Sequence, residues 1–189
     1  PAAYALARRN FPGKGIVMLL FLLPILVPPM TYGIPLATVL YRLPFGGTIW
    51  GVILATLVPT VPFVILVMIP FIEQIDPKIE AAARVFGAGA FQLFIHVLLP
   101  MLLPGILAAL LLVLVRTVAM FELTFLAAGP TSQTLVVVLY YSVFAAGVRA
   151  VQSIDAMAVI YMLTTLIWLL IALRFVNPTQ IVARAPANR

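Results

Sequence analysis

Asp76-Pro77-Lys78-Ile79-Glu80-Ala81-Ala82-Ala83-Arg84-Val85-Phe86-Gly87-Ala88-Gly89-Ala90-Phe91-Gln92-Leu93-Phe94-Ile95-His96-Val97-Leu98-Leu99-Pro100 lies between two long apolar runs, and with Glu73 it holds three of the chain's five acidic residues. Charge of this density belongs in water or at a protein interface. Proline suits the first helical turn, where no backbone N–H is needed, and Asp76 can accept from the free amides there. Glu80 favours the positive end of the dipole. A helix is therefore expected from about Pro77, and Gly87 and Gly89 break or bend it. A second amphipathic helix then sets Phe91, Phe94, Ile95 and Leu98 on one face, until Pro100 opens the next apolar run. Two short helices joined at glycine make a knob that another protein can grip.

Outward from this stretch the chain is apolar. Of 189 residues, 65% are hydrophobic and 8% charged. An ordinary soluble domain is about 45–50% apolar and about 25% charged. A soluble globule of this size needs more polar surface than the chain supplies, and disorder, collagen and coiled coil fail on the same arithmetic. The class expected is an all-α integral membrane protein. Four runs, at about 16–41, 49–72, 101–127 and 154–175, reach the ~20 residues that cross a bilayer. The first contains Pro24, Pro28, Pro29 and Pro35 and the second Pro59, Pro62 and Pro70, so kinks or a broken helix are expected, as membrane helices tolerate. No stretch alternates like a barrel strand. Leu43–Gly47 and Ala128–Gln133 read as turns. Residues 134–144 are apolar but too few to span, as in a re-entrant or interfacial helix on the outer side.

Eleven Lys and Arg stand against five Asp and Glu, a net +6. They are few and lie between apolar runs, so they report orientation, and no nucleic-acid partner is expected. Arg8, Arg9, Lys14, Lys78, Arg84, Arg174, Arg184 and Arg189 fall on one side, Arg42 and Arg149 on the other, and Arg116 within a span. The positive-inside rule then makes both ends and residues 73–98 cytoplasmic. Pro1–Ala7 is apolar and ends in Arg8-Arg9, like the cytoplasmic end of a helix whose start is missing. The expectation is a C-terminal fragment that lacks one or more N-terminal helices. Cysteine is absent and histidine occurs once, so neither a disulfide framework nor a zinc site is expected. No paired carboxylates, Ser/His/Asp set or Gly-x-x-x-x-Gly-Lys-Ser/Thr phosphate loop appears, so no catalytic residue, metal or cofactor is assigned.

The central stretch resembles the EAA loop of permease subunits in bacterial, binding-protein-dependent ABC importers. That pattern is Glu-Ala-Ala, three residues, Gly, nine residues, Ile, one residue, Leu-Pro. From Gly87 to Pro100 the spacing matches, with Val97 at or beside the Ile position. Glu80 stands one residue early, and Ala81 occupies the usual Glu position. Arg84–Ala88 and Pro100–Ile106 read like family variants, Tyr4–Arg8 like the end of the preceding core helix, and Phe11–Lys14 like the loop after it. The resemblance implies a MetI-like multi-helix bundle in the bacterial inner membrane. It implies that ATP is bound by separate ATPase subunits, that a second permease subunit (identical or homologous) completes the pathway, and that a periplasmic or lipid-anchored solute-binding protein delivers the substrate, all amid membrane lipid. Glu80, Ala81, Ala82, Gly87, Ala88, Phe91, Phe94, Leu99 and Pro100 are the coupling-loop residues it implies. Phe121–Pro130 with Ser132–Leu135 looks most like permeases for spermidine/putrescine and ferric ion, so a polyamine or ferric ion is the substrate expected.

Arg116 and Glu122 fall in the third expected span. A charge inside a bilayer is costly, so such residues face a pathway or pair with neighbouring helices; both readings stand, and the pair is the candidate lining of the translocation pathway. Asp155 is expected to cap the last span. His96 reads as a polar interface residue, and Trp50, Trp168, Tyr32, Tyr41 and Tyr161 as interfacial or packing aromatics. The alternative function is a secondary active transporter, with an ion site between proline-broken helices. Such a transporter has no need of a glycine-hinged docking pair, and this separates the two.

Overall fold

The structure, a computed structural model, describes residues 1–144 and 150–175, apart from the side chains of Ala172, Leu173 and Phe175. Arg149, Arg184, Arg189 and the C-terminal end lie outside the described residues. The described residues are helical, in the order α1 Ala2–Arg8, α2 Lys14–Leu26, α3 Pro29–Arg42, α4 Ile49–Glu73, α5 Pro77–Val85, α6 Ala90–Leu93, a π turn Phe94–Leu98, α7 Leu99–Val118, α8 Glu122–Ala127, α9 Leu135–Phe144 and α10 Val151–Phe175. Ile49–Glu73, Ala90–Val118 and Val151–Ile171 are each long and apolar enough to cross a bilayer. The last exposes Val159, Ile160, Leu163, Leu166, Ile167 and Leu170, an apolar surface that calls for lipid or another apolar partner rather than water.

The first expected span is two helices. Pro29 follows Pro28, and a residue before proline is pushed out of the helical region. Pro28 accordingly has ψ 131°, and Pro29 starts α3.

The third expected span, 101–127, is also divided. Here α7 ends at Val118, and Met120 N–H reaches back only to the Thr117 carbonyl. A second helix begins at Glu122, whose carboxylate sits in the first turn of α8, where the dipole favours it. The Thr124 hydroxyl donates to the carbonyls of Met120 and Phe121 at 2.9 and 2.8 Å, so the chain's turn between the two helices is held by local bonds. Arg116 and Glu122 are thus on different helices.

Nor does Pro100 open a new helix. The π turn places the Leu99 N–H on the Phe94 carbonyl, five residues back. This wider turn relieves the clash of a proline ring with the carbonyl four residues before it, and Pro100 itself needs no partner. The helix therefore continues from Ala90 to Val118. Asp155 is not a cap either, since α10 starts at Val151 with no acidic residue in its first turn.

Two compact units divide the chain, Pro1–Leu26 with Pro59–Leu110, and Val27–Val58 with Leu111 onward. The first has a core of Met68, Ile72 and Ile75 against Leu93, Leu98, Leu102 and Ala109, with Ala3, Tyr4 and Ala7 of α1 and Ala83 of α5 packed on it. Met68 and Ile72 are four residues apart, as are Leu98 and Leu102, so each pair shares a helix face. A Cβ on Gly105 would meet the Phe71 ring carbon Cγ at 2.6 Å, so glycine is what lets α7 approach α4 here. The second unit is built on Leu40, Val52, Ala55, Leu123 and Ala127. Its turns are stitched together: Gly47 N–H donates to the Ala127 carbonyl (3.1 Å), Ser132 Oγ–H to the Gly47 carbonyl (3.0 Å), and Gly129 N–H to Ser132 Oγ (2.9 Å). Phe121, just before α8, and Phe125 of α8 stack with ring centroids 5.1 Å apart, and Tyr140 of α9 lies 5.0 and 5.4 Å from them.

Candidate functional site

The knob at residues 73–98 belongs to the first unit. Asp76 caps α5, accepting from the Lys78 N–H at 2.9 Å with Pro77 in the first turn. The helix closes at glycine. Gly87 N–H donates to the Arg84 carbonyl and Ala88 N–H to the Ala83 carbonyl, both at 3.0 Å. This pair of bonds is a Schellman motif, which requires a left-handed residue after the helix. Gly87 supplies it with φ +86°, and no atom lies within 4 Å of where its Cβ would be. Gln92 Oε1 then accepts from the Gly89 N–H at 3.1 Å, which starts α6.

Leu93 and Leu98 are the buried residues of the second arm, whereas Phe91 is 75% and Phe94 40% exposed. Of the face expected from helical spacing, Leu98 packs inward, while Phe91 and Phe94 stand out together. The extra residue in the π turn brings Leu98 round to the face of Leu93, five residues before it, and away from that of Phe91. Val85 and Phe86 stand out still further, Phe86 being 90% exposed. Ala81 and Ala82 lie on the same open side of α5. Between the two arms is a cleft of about 450 Å³ lined by Phe86, Gly87, Ala88, Gln92, His96 and Val97. His96 Nδ1 lies 3.3 Å from the Gln92 carbonyl. Leu99 and Pro100 sit at the start of α7, in the continuous helix.

Glu80 turns the other way. It is 8% exposed, the one charged side chain buried among the described residues. Its Oε1 forms an ion pair with Arg8 Nε at 3.1 Å, though neither atom is aimed for a hydrogen bond. The Tyr4 hydroxyl donates to Glu80 Oε2, and Arg8 Nη2 donates to the Ile75 carbonyl. Tyr4 and Arg8 were not singled out as site residues by sequence. The only signal there was two polar side chains four residues apart at the end of an apolar run.

In the second unit Arg116, Glu122 and Tyr32 come from α7, α8 and α3. Both charges act electrostatically on the Tyr32 phenol, whose oxygen is buried without a hydrogen-bond partner among the described residues. Glu122 is half-buried at the head of its helix.

Comparison with known proteins matches residues 1–181 to the model of the binding-protein-dependent transport system inner membrane component family. The chain belongs to that family. It is accordingly a membrane permease component, a class that is not enzymatic. It is 34% identical over 155 residues to the molybdenum transport system permease protein ModB of Haemophilus influenzae, covering 73% of this chain and 67% of that protein. It is 29% identical over 160 residues to the molybdate/tungstate transport system permease protein WtpB of Thermococcus kodakarensis (84% and 64%). It is 32% identical over 133 residues to the sulfate transport system permease protein CysW of Synechocystis (64% and 48%). The chain spans about half to two thirds of the length of these relatives of the permease family. Their names leave the polyamine or ferric-ion expectation without support.

Proposed function

We propose that this permease forms the membrane pathway of an ATP-driven importer and that residues 73–98 seat its ATPase. The observation that carries the reading is the exposed apolar knob around Gly87. Val85, Phe86 and Phe91 are held out from the loop by a capped helix, a glycine turn and a packed second arm. Apolar surface gains about 25 cal/mol per Å² on leaving water, so a partner that covers these side chains around the cleft is strongly favoured. The loop faces the cytoplasm in this reading, and the partners are two ATPase subunits, a second permease and a solute-binding protein. ATP stays with the ATPases.

The substrate class is a tetrahedral oxyanion of the molybdate and sulfate kind, a reading that rests on the relatives named above. In proteoliposomes containing the assembled complex and its binding protein, labelled molybdate or sulfate should be taken up only with ATP, and tungstate should compete whereas putrescine should not. Uptake that persists without ATP and follows an ion gradient would instead establish a secondary transporter.

Glu122 lines the outer part of this pathway, and Arg116 holds α7 to its neighbours. Glu122→Gln is expected to lower uptake at least threefold at unchanged yield of complex, while Arg116→Ala lowers the yield itself. Uptake by Glu122→Gln that falls only in proportion to lost complex would leave Glu122 a purely structural role.

A further inference from the structure

We infer that Glu80 is a positioning residue that works inward: with Arg8 and Tyr4 it ties α5 to α1, so that a displacement of the docked helix is passed into the subunit through this tether. The inference rests on the docking role proposed for the loop and goes beyond it by assigning Glu80, one residue before the motif's usual Glu position, to a contact within the chain.

Three observations meet at this point. Glu80 is buried while its helix neighbours Ala81 and Ala82 are exposed, so α5 presents small apolar residues outward and its carboxylate inward. Both carboxylate oxygens are engaged by α1, Oε1 by the Arg8 guanidinium at 3.1 Å and Oε2 by the Tyr4 hydroxyl. The same guanidinium also holds the Ile75 carbonyl, in the turn that leads from α4 into α5. One arginine thus grips α5 at its entry and one turn further in. Around it, Tyr4, Ala7, Ile75 and Ala83 belong to one apolar cluster, and this cover shields the pair from water. A charge pair so covered holds its geometry, because breaking one partner leaves the other charged and unpaired. A carboxylate committed to α1 is not available to a partner protein. Force applied to the exposed side of α5 therefore has a short, stiff route to α1, alongside the chain connection through α4.

The test uses the complete permease with its ATPase and binding protein, and variants Arg8→Gln, Glu80→Gln, Tyr4→Phe and the reversed pair Arg8→Glu/Glu80→Arg. The expected result is that Arg8→Gln and Glu80→Gln keep ATPase co-purification within twofold of the parent. Each loses about tenfold in uptake and in stimulation of ATP hydrolysis by loaded binding protein. Tyr4→Phe, which removes only one hydroxyl, loses about threefold, and the reversed pair regains at least a third of the parental uptake. A defect confined to Glu80→Gln and accompanied by loss of the ATPase would overturn the proposal, because the carboxylate would then be reaching the partner. Parental uptake in both Glu80→Gln and Tyr4→Phe would overturn it as well. If the single variants fail to accumulate, the thermal midpoints of the four members of the Arg8/Glu80 cycle in the purified permease decide, additivity of the two changes counting against the tether. Absence of ATPase from the parental preparation would sink the importer reading instead, and the same cycle still measures the pair.

Discussion

Gly87→Val is expected to remove about nine-tenths of uptake and most ATPase co-purification, while the amount of permease in the membrane stays near the parental level. The cause is the backbone. Gly87 has φ +86° in a Schellman closure, and its Cβ position is empty space. No clash opposes a side chain there, but an L residue in the left-handed region costs roughly 1–2 kcal/mol, and a β-branched one is a clear outlier. Each 1.4 kcal/mol is about tenfold in an equilibrium. The loop escapes the strain by giving up the Ala88 N–H to Ala83 carbonyl bond, and that changes the angle between the Phe86 and Phe91 arms. Gly87→Asn is the matching control, because asparagine tolerates this conformation, and it should keep at least half of the uptake. Normal uptake and normal co-purification in Gly87→Val would show that the angle of the knob is irrelevant to docking.

Gly129→Ala should act in the opposite way, through space and on stability. A Cβ at Gly129 would lie 2.4 Å from the Gly47 carbonyl oxygen and 2.9 Å from its Cα. Those are backbone atoms, so no rotamer change relieves the contact. The two turns must separate, and the Gly47–Ala127 and Ser132–Gly47 bonds go with them. Overpacking of this kind costs typically 1–3 kcal/mol, and 1 kcal/mol moves the midpoint of a chain of this size by about 2–4 °C. A fall of about 5 °C in the thermal midpoint of the detergent-solubilised permease is therefore expected. Ser132→Ala removes only the side-chain bonds, worth about 1 kcal/mol, and should shift it less. A parental midpoint for Gly129→Ala would mean that the turns are not in contact in the folded protein.

Local chemistry made much of this architecture readable in advance, and non-local contacts hid the rest. Asp76-Pro77 announces the start of α5, and Gly87 its end, because capping and left-handed turns are decided within a few residues. The apolar runs announce membrane helices for the same reason. What sequence misplaced depends on interactions it does not display. Pro100 reads as a boundary unless the π turn before it is known. The end of α7 at Val118 carries no proline or glycine, and Leu123, Thr124 and Ala127 are buried only because α8 belongs to the second unit's core. Leu98 parts from the face of Phe91 and Phe94 because the unbroken α period that helical spacing presumes is interrupted there. The Tyr4–Glu80 contact joins residues 76 apart, and a motif read along the chain offers no hint that Glu80 faces inward.

The π turn at Phe94–Leu98 also fixes an azimuth. Each residue of an α-helix advances the face by about 100°, and the wider π turn takes up one extra residue within about one turn, so Leu93 and Leu98 share a face although they stand five residues apart. Loss of one residue from 94–98 would let an ordinary α-helix form in its place with its backbone bonds made and the downstream face nearly unturned, since the π turn already absorbs the extra residue within one turn. Gly105 would still face Phe71, and Leu102 and Ala109 would keep to the core face. A change of length across 94–98 is consequently tolerated in one direction only: exchanges such as Ile95→Val and the loss of one residue keep the phase, whereas a further inserted residue turns the start of α7 by about 100°.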